Sequence, residues 1–510
     1  MTSALTQTLT QANFLGQGFD ISGAYHIPGE LLRPLLDPDK VGTRSFEFLG
    51  QEYTIPDYVT GIVDTEGKYL IDTVETREEV QRSFSAKAGV HVSAGGFSGQ
   101  MEAAYSHTFT RSSEYAYSFT NLYQRLALLR LDLNRAVKAL SKGFIDAYRS
   151  LPGEVTPATL PAFAAFFHDF GFYFVAELAL GGTLEYYVAV NKISTLSTSS
   201  IAVQVKAEYN AVFYAGEVSG EIKQSEEFKK YVSSRSVNIA ARGGDPALLA
   251  RLISIDPGLP SSETVEAYER WLDSIRTAPG VADFQLLGVW ELIPEDDRRK
   301  LVQDAFVKLL PTLHPRMTAI VPALPGAVPT IVLGRPLTPD EPPSRPNGFQ
   351  MLVLDREKIG PDGVIYDRYY ETEDSSVAAY QAMYDRIAAD LVGFDFTGTG
   401  QVLVLASFGL SVDRAPTAKL AALLRAAGAG DMLSMWMERS QPSRDPAASP
   451  LSYLLVGIPG MGPHTGVERL DAGKKPLSQE VLFYWQRDVR RYTFSAGSPV
   501  LAEADPTAAA

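Results

Sequence analysis

Residues 168–187, HDFGFYFVAELALGGTLEYY, carry the alternating apolar pattern of a very long β-strand with two adjacent glycines inside it. Every second residue from Phe172 is apolar up to the glycines, and the same parity continues beyond them to Val190. At ~3.3 Å per residue such a strand spans roughly 60 Å, far more than the usual strand of about five or six residues. A glycine pair in this setting marks a sharp bend or a close backbone approach. We therefore predict a bend at Gly181 and Gly182.

The size and composition of the chain indicate a folded protein with more than one domain. It has 510 residues, of which 45% are hydrophobic and 21% charged, so we expect two domains. A formal net charge of −14 without a strongly basic block argues against nucleic acid as the main partner. The lack of cysteine excludes disulfides and thiolate metal sites. No secretory signal pattern is visible, so we expect unconventional export or an already mature chain.

A second alternating pattern covers residues 83–110 and is typical of a β-hairpin. Small and apolar residues alternate with polar ones on either side of GGFSG at 95–99. Arms of about eleven residues are long enough for a membrane-spanning β-strand. An ordinary antiparallel sheet with one wet face produces the same alternation, so the pattern alone leaves both interpretations open. The residues of the candidate membrane face are Val90, Val92, Met101, Tyr105 and Phe109.

A third alternating pattern lies within residues 196–236. Its first arm alternates apolar with polar residues, and its continuation, EIKQSEEFKKYVSS, is charged. That continuation fits a solvated hairpin tip or a surface helix, and periodicity does not separate the two. The candidate membrane face of this segment consists of Ile201, Val203, Val205, Tyr209 and Phe213.

Composition divides the chain into a first domain over residues 1–315 and a second part beyond a proline-rich segment. Residues 316–346 have many prolines and little periodicity, so we predict an extended inter-domain linker there. Residues 347–466 combine buried-strand runs such as FQMLVLD with helical stretches. This pattern predicts a smaller α/β C-terminal domain, with an α+β arrangement left open. We expect residues 467–510 to form a C-terminal extension with a disordered end.

Five motifs in sequence order resemble the MACPF domain of perforin and the complement membrane-attack proteins. The family signature is an aromatic-Gly-Thr-His-aromatic element that ends a helix and precedes a strand with a Gly-Gly pair. Phe172 and Tyr173 stand at its Thr and His positions in this chain. The full signature here is Phe170, Gly171, Phe172, Tyr173 and Phe174, and the other motifs are LGQGFDI (15–21), YAYSFTNLYQRLALLRL (115–131), SVNIAARGG (236–244) and the segment 279–310.

The resemblance implies an α+β fold of the MACPF and cholesterol-dependent cytolysin type. Its expected features are a bent, twisted four-stranded antiparallel sheet and two flanking helical clusters. In pore-forming members of the family both clusters unfurl into amphipathic hairpins, which a ring of subunits closes into a β-barrel. The alternating segments 83–110 and 196–236 lie where the clusters are expected. The predicted hinges at which the sheet opens are Gly181, Gly182, Gly243 and Gly244.

Residues 347–466 resemble the interleukin-like EMT inducer domain in the order of their strands and helix. Related domains bind carbohydrate in some settings, so the resemblance implies a role in glycan recognition. Tyr366, Tyr369, Tyr370 and Trp436 fit either stacking on sugars or burial in a core, and the sequence leaves both open.

These observations predict a pore-forming protein that is secreted or released, is monomeric in solution and forms homo-oligomeric rings on a target membrane. Its partner there is a lipid or a glycan receptor, and a separate targeting partner is a further option. The alternative is a non-lytic MACPF adhesion or surface-interaction protein, which the replacement of Thr and His favours. The sequence has no HExxH spacing, nucleophile elbow or complete phosphate-loop pattern, so we expect neither an enzyme nor a bound cofactor or metal.

Overall fold

The computed structural model describes residues 7–23, 25–90, 96–105, 114–310, 314–322, 326–394, 399–440, 450–472, 476–486 and 489–496. The chain divides into two compact units, one up to residue 310 and one from residue 314. Val92 and Phe109 of the predicted membrane faces lie outside the described residues. In the part of the chain that is described, no helix is long and apolar enough to cross a bilayer.

The first unit combines long strands with short helices. Its strands are β1 (Gln7–Thr8), β2 (Gln17–Phe19), β3 (Leu31–Pro34), β4 (Thr43–Phe48), β5 (Gln51–Pro56), β6 (Val59–Val74), β7 (Tyr115–Leu131), β8 (Tyr173–Asn191), β9 (Arg235–Arg242) and β10 (Gly280–Gly288). Its helices are α1 (Arg77–Lys87), α2 (Ser98–Tyr105), α3 (Leu133–Ala136), α4 (Lys142–Ser150), α5 (Leu160–Phe170), α6 (Thr198–Asn210), α7 (Gly220–Gln224), α8 (Glu226–Ser234), α9 (Pro246–Ile253), α10 (Ser262–Ser274) and α11 (Asp296–Leu309).

The centre of this unit is an antiparallel sheet in which β6, β7, β8 and β9 are successive neighbours. β2, β3 and β10 extend it, while β1, β5 and β4 form a separate small sheet. The predicted α+β fold and its four-stranded antiparallel sheet are therefore confirmed. The motifs 115–131 and 236–244 supply β7 and β9, and the segment 279–310 supplies β10 and α11, as predicted.

Two helical clusters connect the long strands. Cluster 1 consists of α1 and α2 and joins β6 to β7, and cluster 2 consists of α6, a π-helical turn (Ala211–Ala215), α7 and α8 and joins β8 to β9. Local sequence starts these helices, since Thr76 and Glu79 form a capping box on α1 and Ser197 caps α6. The helical clusters expected from the family resemblance are thus present.

The strand interpretation of the alternating segments is wrong for the described residues of this state. In α6 the apolar residues Ile201, Val205 and Tyr209 are four apart, so they form one buried helix face as well as one strand face. Val203, which shares their strand parity, is 60% exposed instead. Alternation alone did not distinguish the two periods here.

The two clusters lie on opposite faces of the central sheet. Phe119 of β7 is paired with Tyr187 of β8, so odd-numbered residues of both strands share one face. Phe84 of cluster 1 packs on Phe119, with ring centroids 5.2 Å apart. Tyr209 of cluster 2 packs on the even-numbered Tyr186 at 5.6 Å. The same two strands therefore hold a different cluster on each side.

The second unit contains two antiparallel sheets and three helices among its described residues. Its strands are β11 (Arg316–Val321), β12 (Thr330–Leu333), β13 (Arg335–Leu337), β14 (Gly348–Asp355), β15 (Val364–Glu371), β16 (Gln401–Phe408), β17 (Leu410–Ser411), β18 (Pro450–Gly457), β19 (Val467–Asp471), β20 (Leu477–Gln486) and β21 (Arg491–Ala496), and its helices are α12 (Val377–Gly393), α13 (Ala418–Ala426) and α14 (Asp431–Arg439).

A six-stranded sheet in the order β15-β14-β16-β18-β17, with β19 beside β18, lies in the middle of this unit. One face packs on α12, α13 and α14, and the other packs on the five-stranded sheet β13-β12-β11-β20-β21. Because neighbouring strands are antiparallel, the predicted α/β module is an α+β module. Trp436 and Tyr370 belong to the core with 0% and 4% exposure, while Tyr366 and Tyr369 are half-buried. The likeness to the interleukin-like EMT inducer domain stays a prediction.

Two of the predicted domain boundaries are wrong. The predicted linker 316–346 contains β11, β12 and β13, because Met317, Ala319 and Val321 alternate toward the core and are fully buried. The predicted extension 467–510 contributes β19, β20 and β21 to the two sheets. Of the described prolines that suggested a linker, Pro336 lies within the edge strand β13 and the others lie between or beside strands. The end that we expected to be disordered, LAEADPTAAA (501–510), lies outside the described residues.

Candidate functional site

The predicted bend in β8 coincides with a change of its neighbouring strand. Tyr173 to Gly181 pair with β10, and Thr183 to Val190 pair with β9 along the same edge. On the other edge β7 has a bulge, because Arg125 pairs with Gly181 and Ala127 with Leu180. Bulges increase the local twist and bend a strand. Gly182 therefore lies at the junction of two strand pairings.

The four glycines that we predicted as hinges meet at this junction, and their missing side chains make the close approach possible. Gly181 has a φ of +156°, and a Cβ there would lie 1.9 Å from the carbonyl oxygen of Gln124. Gly243 has a φ of +74°, and its Cβ would lie 2.2 Å from the carbonyl oxygen of Gly181. Both contacts are with backbone atoms, so a side chain cannot be accommodated by a rotamer change.

The helical hairpin formed by α9 and α10 closes over the junction. Trp271 of α10 is fully buried and donates its indole N–H to the carbonyl oxygen of Gly243 at 2.9 Å. A Cβ on Gly244 would lie 2.8 Å from the Trp271 ring, and one on Gly182 would lie 2.5 Å from Ile275. The contacts at Gly182 and Gly244 are thus with side chains. A separate structural element thus covers the glycine junction.

The signature residues form an aromatic cluster at the start of β8. Gly171 ends α5 with a φ of +86°, and a Cβ there would lie 2.8 Å from the carbonyl oxygen of Phe19. The ring of Phe172 stacks on Phe167 at 4.4 Å, and that of Tyr173 meets Phe306 of α11 at 5.7 Å. Burial raises the pKa of the Tyr173 hydroxyl. The residues at the Thr and His positions of the family pattern therefore have a packing role here.

Cluster 1 is anchored to the sheet through a buried carboxylate, which we call the first anchor. Glu185 of β8 is 2% exposed and accepts hydrogen bonds from Tyr187 at 2.8 Å and from Arg242 of β9 at 2.9 Å. Gln100 of α2 donates to the Tyr187 hydroxyl and accepts from the backbone N–H of Tyr25. Burial raises the pKa of Tyr187 well above its usual range, so this hydroxyl stays a donor.

Cluster 2 carries the second anchor, which is centred on Glu208 of α6. This carboxylate is 2% exposed and accepts from Tyr186 of β8 at 2.8 Å, Tyr231 of α8 at 2.6 Å and Arg235 of β9 at 2.7 Å. Burial and the neighbouring carboxylate raise the pKa values of both tyrosines well above their usual range. The hydrogen bonds to the Glu208 carboxylate thus link α6 to α8 and to the strands β8 and β9.

Both anchors depend on the short strand β9. Arg235 begins this strand and is paired with Val190, whereas Arg242 ends it and is paired with Thr183. Because these two register positions have opposite parity, one arginine serves each face of the sheet. Removal of β9 from its place beside β8 would take the arginine away from both anchors together.

The predicted apolar residues are mostly inside the two clusters. Val203 is the exposed member, and Val92 and Phe109 cannot be assigned because they lie outside the described residues. The buried ones are Val90, Met101, Tyr105, Ile201, Val205, Tyr209 and Phe213, each with 3% exposure or less. The clusters therefore hide the residues that would form a lipid-facing surface in the hairpin form.

The sequence analysis did not predict the charged residues of the two anchors, nor Trp271, which covers the glycine junction. Glu185 sits within the apolar run LEYYVAV, and a lone carboxylate in a buried strand needs a partner charge. Among the missed anchor residues, only Glu185 has this signal, a lone carboxylate in an apolar run. Glu208 and Arg235 have polar sequence neighbours, so nothing in the local pattern marks them as buried. No group of three or more His, Asp and Glu in the described ranges is arranged to hold a metal.

Substitution of Glu208 by glutamine should lower the free energy of unfolding by about 3 kcal/mol. The change leaves the Arg235 guanidinium, whose side chain is 13% exposed, without its counter-charge, and loss of one partner of a buried ion pair costs about 3–5 kcal/mol. Urea unfolding followed by far-UV circular dichroism measures this difference. Glu226→Gln, in the exposed first turn of α8, is the matched control and should leave the midpoint unchanged. Equal midpoints for both variants would show that Glu208 is not an anchor.

Comparison with known proteins gives one family match over the first unit. A family model described as MAC/Perforin domain matches residues 8–310. The complement component C8 alpha chain of Oryctolagus cuniculus is 22% identical over 249 residues, which are 44% of this chain and 41% of that protein. The chain thus spans less than half the length of this curated relative.

Solved structures with a similar arrangement include two bacterial proteins. GNIP1Aa from Chromobacterium piscinae has 17% identity and a TM-score of 0.49, covering 97% of this chain and 92% of that one. A putative cell invasion protein with a MAC/Perforin domain from Bacteroides thetaiotaomicron VPI-5482 has 15% identity and a TM-score of 0.42, covering 65% of this chain and 69% of that one.

Proposed function

The chain belongs to the MAC/Perforin family, and on this basis we propose that it is a pore-forming protein whose two clusters become membrane-inserted β-hairpins. The observation that carries the proposal is the position of the clusters in the chain. Cluster 1 joins the paired ends of β6 and β7, and cluster 2 joins those of β8 and β9. Tyr115 of β7 is paired with Asn191 of β8, so both connections leave the sheet at the same end.

Unfolding of both clusters would therefore lengthen four neighbouring strands in their existing register. Residues 75–114 and 192–234 separate these strands. With roughly twenty residues per arm at ~3.3 Å each, a hairpin reaches about 60 Å, twice the hydrocarbon thickness of a bilayer. Inserted strands need closed pairing with neighbours, because unpaired backbone groups are costly in hydrocarbon. A ring of subunits that forms a common β-barrel meets this requirement.

Assembly of such a ring uses the edges of the central sheet. β6 is an outer strand of that sheet, with β7 as its partner in the described part of the chain. Ile62 and Leu70 on β6 are each 51% exposed, which is unusual for large apolar side chains on a long edge strand. The monomer in solution would then meet its neighbour along β6. The second unit would recognise a lipid or glycan of the target membrane, after secretion or release of the protein.

The second candidate function is a non-lytic adhesion or surface-interaction protein. Both anchors favour it, because Glu185 and Glu208 are buried and each accepts hydrogen bonds from an arginine and at least one tyrosine in the helical form of the clusters. Such a protein would keep the clusters folded after binding. A separate targeting partner would serve either function.

Vesicle experiments separate the two functions. The protein is incubated with liposomes of varied lipid and glycolipid content, and dye release is followed while the membranes are imaged by electron microscopy. Pore formation predicts release together with ring-shaped assemblies. Binding with neither release nor rings on any tested membrane would support the non-lytic function and contradict the first proposal.

A further inference from the structure

The second unit contains a polar cavity of about 420 Å³ between the end of β15 and helix α12. This volume lies within the range of small-molecule sites, roughly 300–1,000 Å³. Its wall carries three arginines and three carboxylates, so its formal charge is balanced. The charged lining residues are Arg345, Arg368, Arg386, Glu371, Glu373 and Asp390.

Three arginines contribute positive charge to the cavity wall. Arg345 precedes β14, Arg368 lies on β15 and Arg386 lies on α12, so three separate elements converge there. Arg386 donates to the backbone carbonyl oxygen of Glu371. All three side chains are exposed. Planar guanidinium groups match the geometry of phosphate oxygens and bind them through paired hydrogen bonds.

The carboxylates differ in how they are engaged. Both oxygens of Glu371 are occupied, by the Ser344 hydroxyl at 2.9 Å and the backbone N–H of Arg345 at 3.0 Å. Asp390 accepts from the hydroxyl of Tyr370, whose pKa is raised first by burial and then by this hydrogen bond. The hydroxyl of Tyr366 also donates to Asp390 at 3.2 Å, and neither tyrosine supplies a counter-charge. Glu373, the third carboxylate, is exposed at the cavity wall.

We propose that this cavity binds a zwitterionic phosphate headgroup, with its phosphate against Arg368 and Arg386 and its ammonium group against Asp390 and Glu373. A simple anion would meet carboxylates of like charge in the wall, and a simple cation would meet the arginines. A ligand that carries both charges can engage groups of both signs in the wall. Phosphocholine and phosphoethanolamine have this chemistry.

The proposal names the membrane component for the pore-forming function proposed above and rests on that function for its biological setting. The chain has a formal net charge of −14, so general attraction to an anionic membrane surface is unfavourable. A zwitterionic headgroup avoids this repulsion. Recognition would then depend on a defined cavity in the second unit and not on overall charge.

Calorimetric titration of the full chain with soluble ligands tests the assignment without any membrane. The probes are phosphocholine, phosphoethanolamine, inorganic phosphate and choline. We expect one of the two zwitterions to bind at least about tenfold more tightly than inorganic phosphate or choline. Equal binding of inorganic phosphate, or no binding of either zwitterion, would overturn the proposal.

Charge-removing variants locate the site. Arg368→Gln should weaken binding of the zwitterion about tenfold, as expected for loss of a charged hydrogen bond of about 1.4 kcal/mol. Glu373→Gln should weaken zwitterion binding and leave inorganic phosphate binding unchanged. Arg439→Gln, at the exposed end of α14, is the matched control and should bind like the unmodified chain. Equal affinities of all three variants would overturn the assignment to this cavity.

Vesicle binding then distinguishes recognition of the headgroup in a lipid from recognition of the same headgroup free in solution. We expect the protein to sediment with phosphatidylcholine or phosphatidylethanolamine vesicles and to be displaced by the matching soluble headgroup. Binding of the soluble headgroup without vesicle binding would overturn the lipid assignment. Because these readouts measure binding, an absence of dye release would count against pore formation and leave this proposal standing.

Discussion

Val203→Lys is expected to abolish dye release from vesicles while changing the stability of the folded protein by less than about 0.5 kcal/mol. Val203 is 60% exposed on α6, and lysine is a good helix former, so the helical state tolerates the change. In the proposed hairpin Val203 shares the lipid-facing parity of Ile201 and Val205. A lysine facing lipid costs about 2–4 kcal/mol near the bilayer mid-plane, and every subunit of a ring would bear this cost.

Asn210→Lys is the control for this prediction. Asn210 is also exposed on α6, but its parity places it on the opposite, lumen-facing side of the hairpin. The variant introduces the same side chain and should release dye like the unmodified protein. Thermal unfolding establishes that both variants are folded. Release by Val203→Lys at the unmodified rate would show that this face does not enter the membrane.

Gly181→Ala should destabilise the first unit by more than about 4 kcal/mol, which is beyond the usual range for one substitution. The new methyl group would lie 1.9 Å from the carbonyl oxygen of Gln124, at a backbone φ of +156°. Neither the strand β7 nor the glycine can move alone, because Gly181 is also paired with Gly280 of β10. Thermal unfolding and yield of soluble protein measure the effect.

A glycine elsewhere in the same sheet separates this steric effect from a general loss of glycine. Gly67 lies within β6, and a Cβ there would meet nothing within 4 Å. Gly67→Ala should therefore leave the unfolding temperature unchanged or slightly higher. If Gly181→Ala unfolds at the same temperature as Gly67→Ala, the glycines are not required by the close approach of the strands.

The parts of the fold that local patterns specify were predictable from the sequence. The strand β8 followed from nineteen alternating residues, and the glycine pair inside it lies at a change of strand pairing. The motif order predicted β7, β9, β10 and α11 correctly. These elements combine a long pattern with few competing interpretations.

Other features depend on contacts between residues far apart in the chain. Ile201, Val205 and Tyr209 satisfy a strand period and a helix period at once, so packing on Tyr186 and Tyr69 decides the local structure. The Glu208–Arg235 pair joins a helix to a strand that begins after cluster 2. Such pairs leave no pattern in the local sequence. The alternation in β11 was missed for another reason, because prolines on either side of it suggested a linker.

The two anchors give the proposed transition an order that can be followed. Arg235 and Arg242 lie at opposite ends and on opposite faces of β9, so displacement of this one strand removes the arginine partner of both buried carboxylates. Trp271 holds Gly243 at the end of the same strand. The helical hairpin of α9 and α10, the strand β9 and the two clusters are thus expected to move in a concerted manner.

A reversible cross-link between cluster 1 and β9 tests the central claim most directly. The Asn238 amide of β9 donates to the carbonyl oxygen of Ala103 in α2 at 2.9 Å, and the chain has no cysteine of its own. Cysteines at Ala104 and Asn238 can be joined by a short, cleavable thiosulfonate reagent. We predict that the joined protein binds vesicles without releasing dye, and that reductant restores release. Full release by the joined protein would contradict the unfolding of cluster 1 into the membrane.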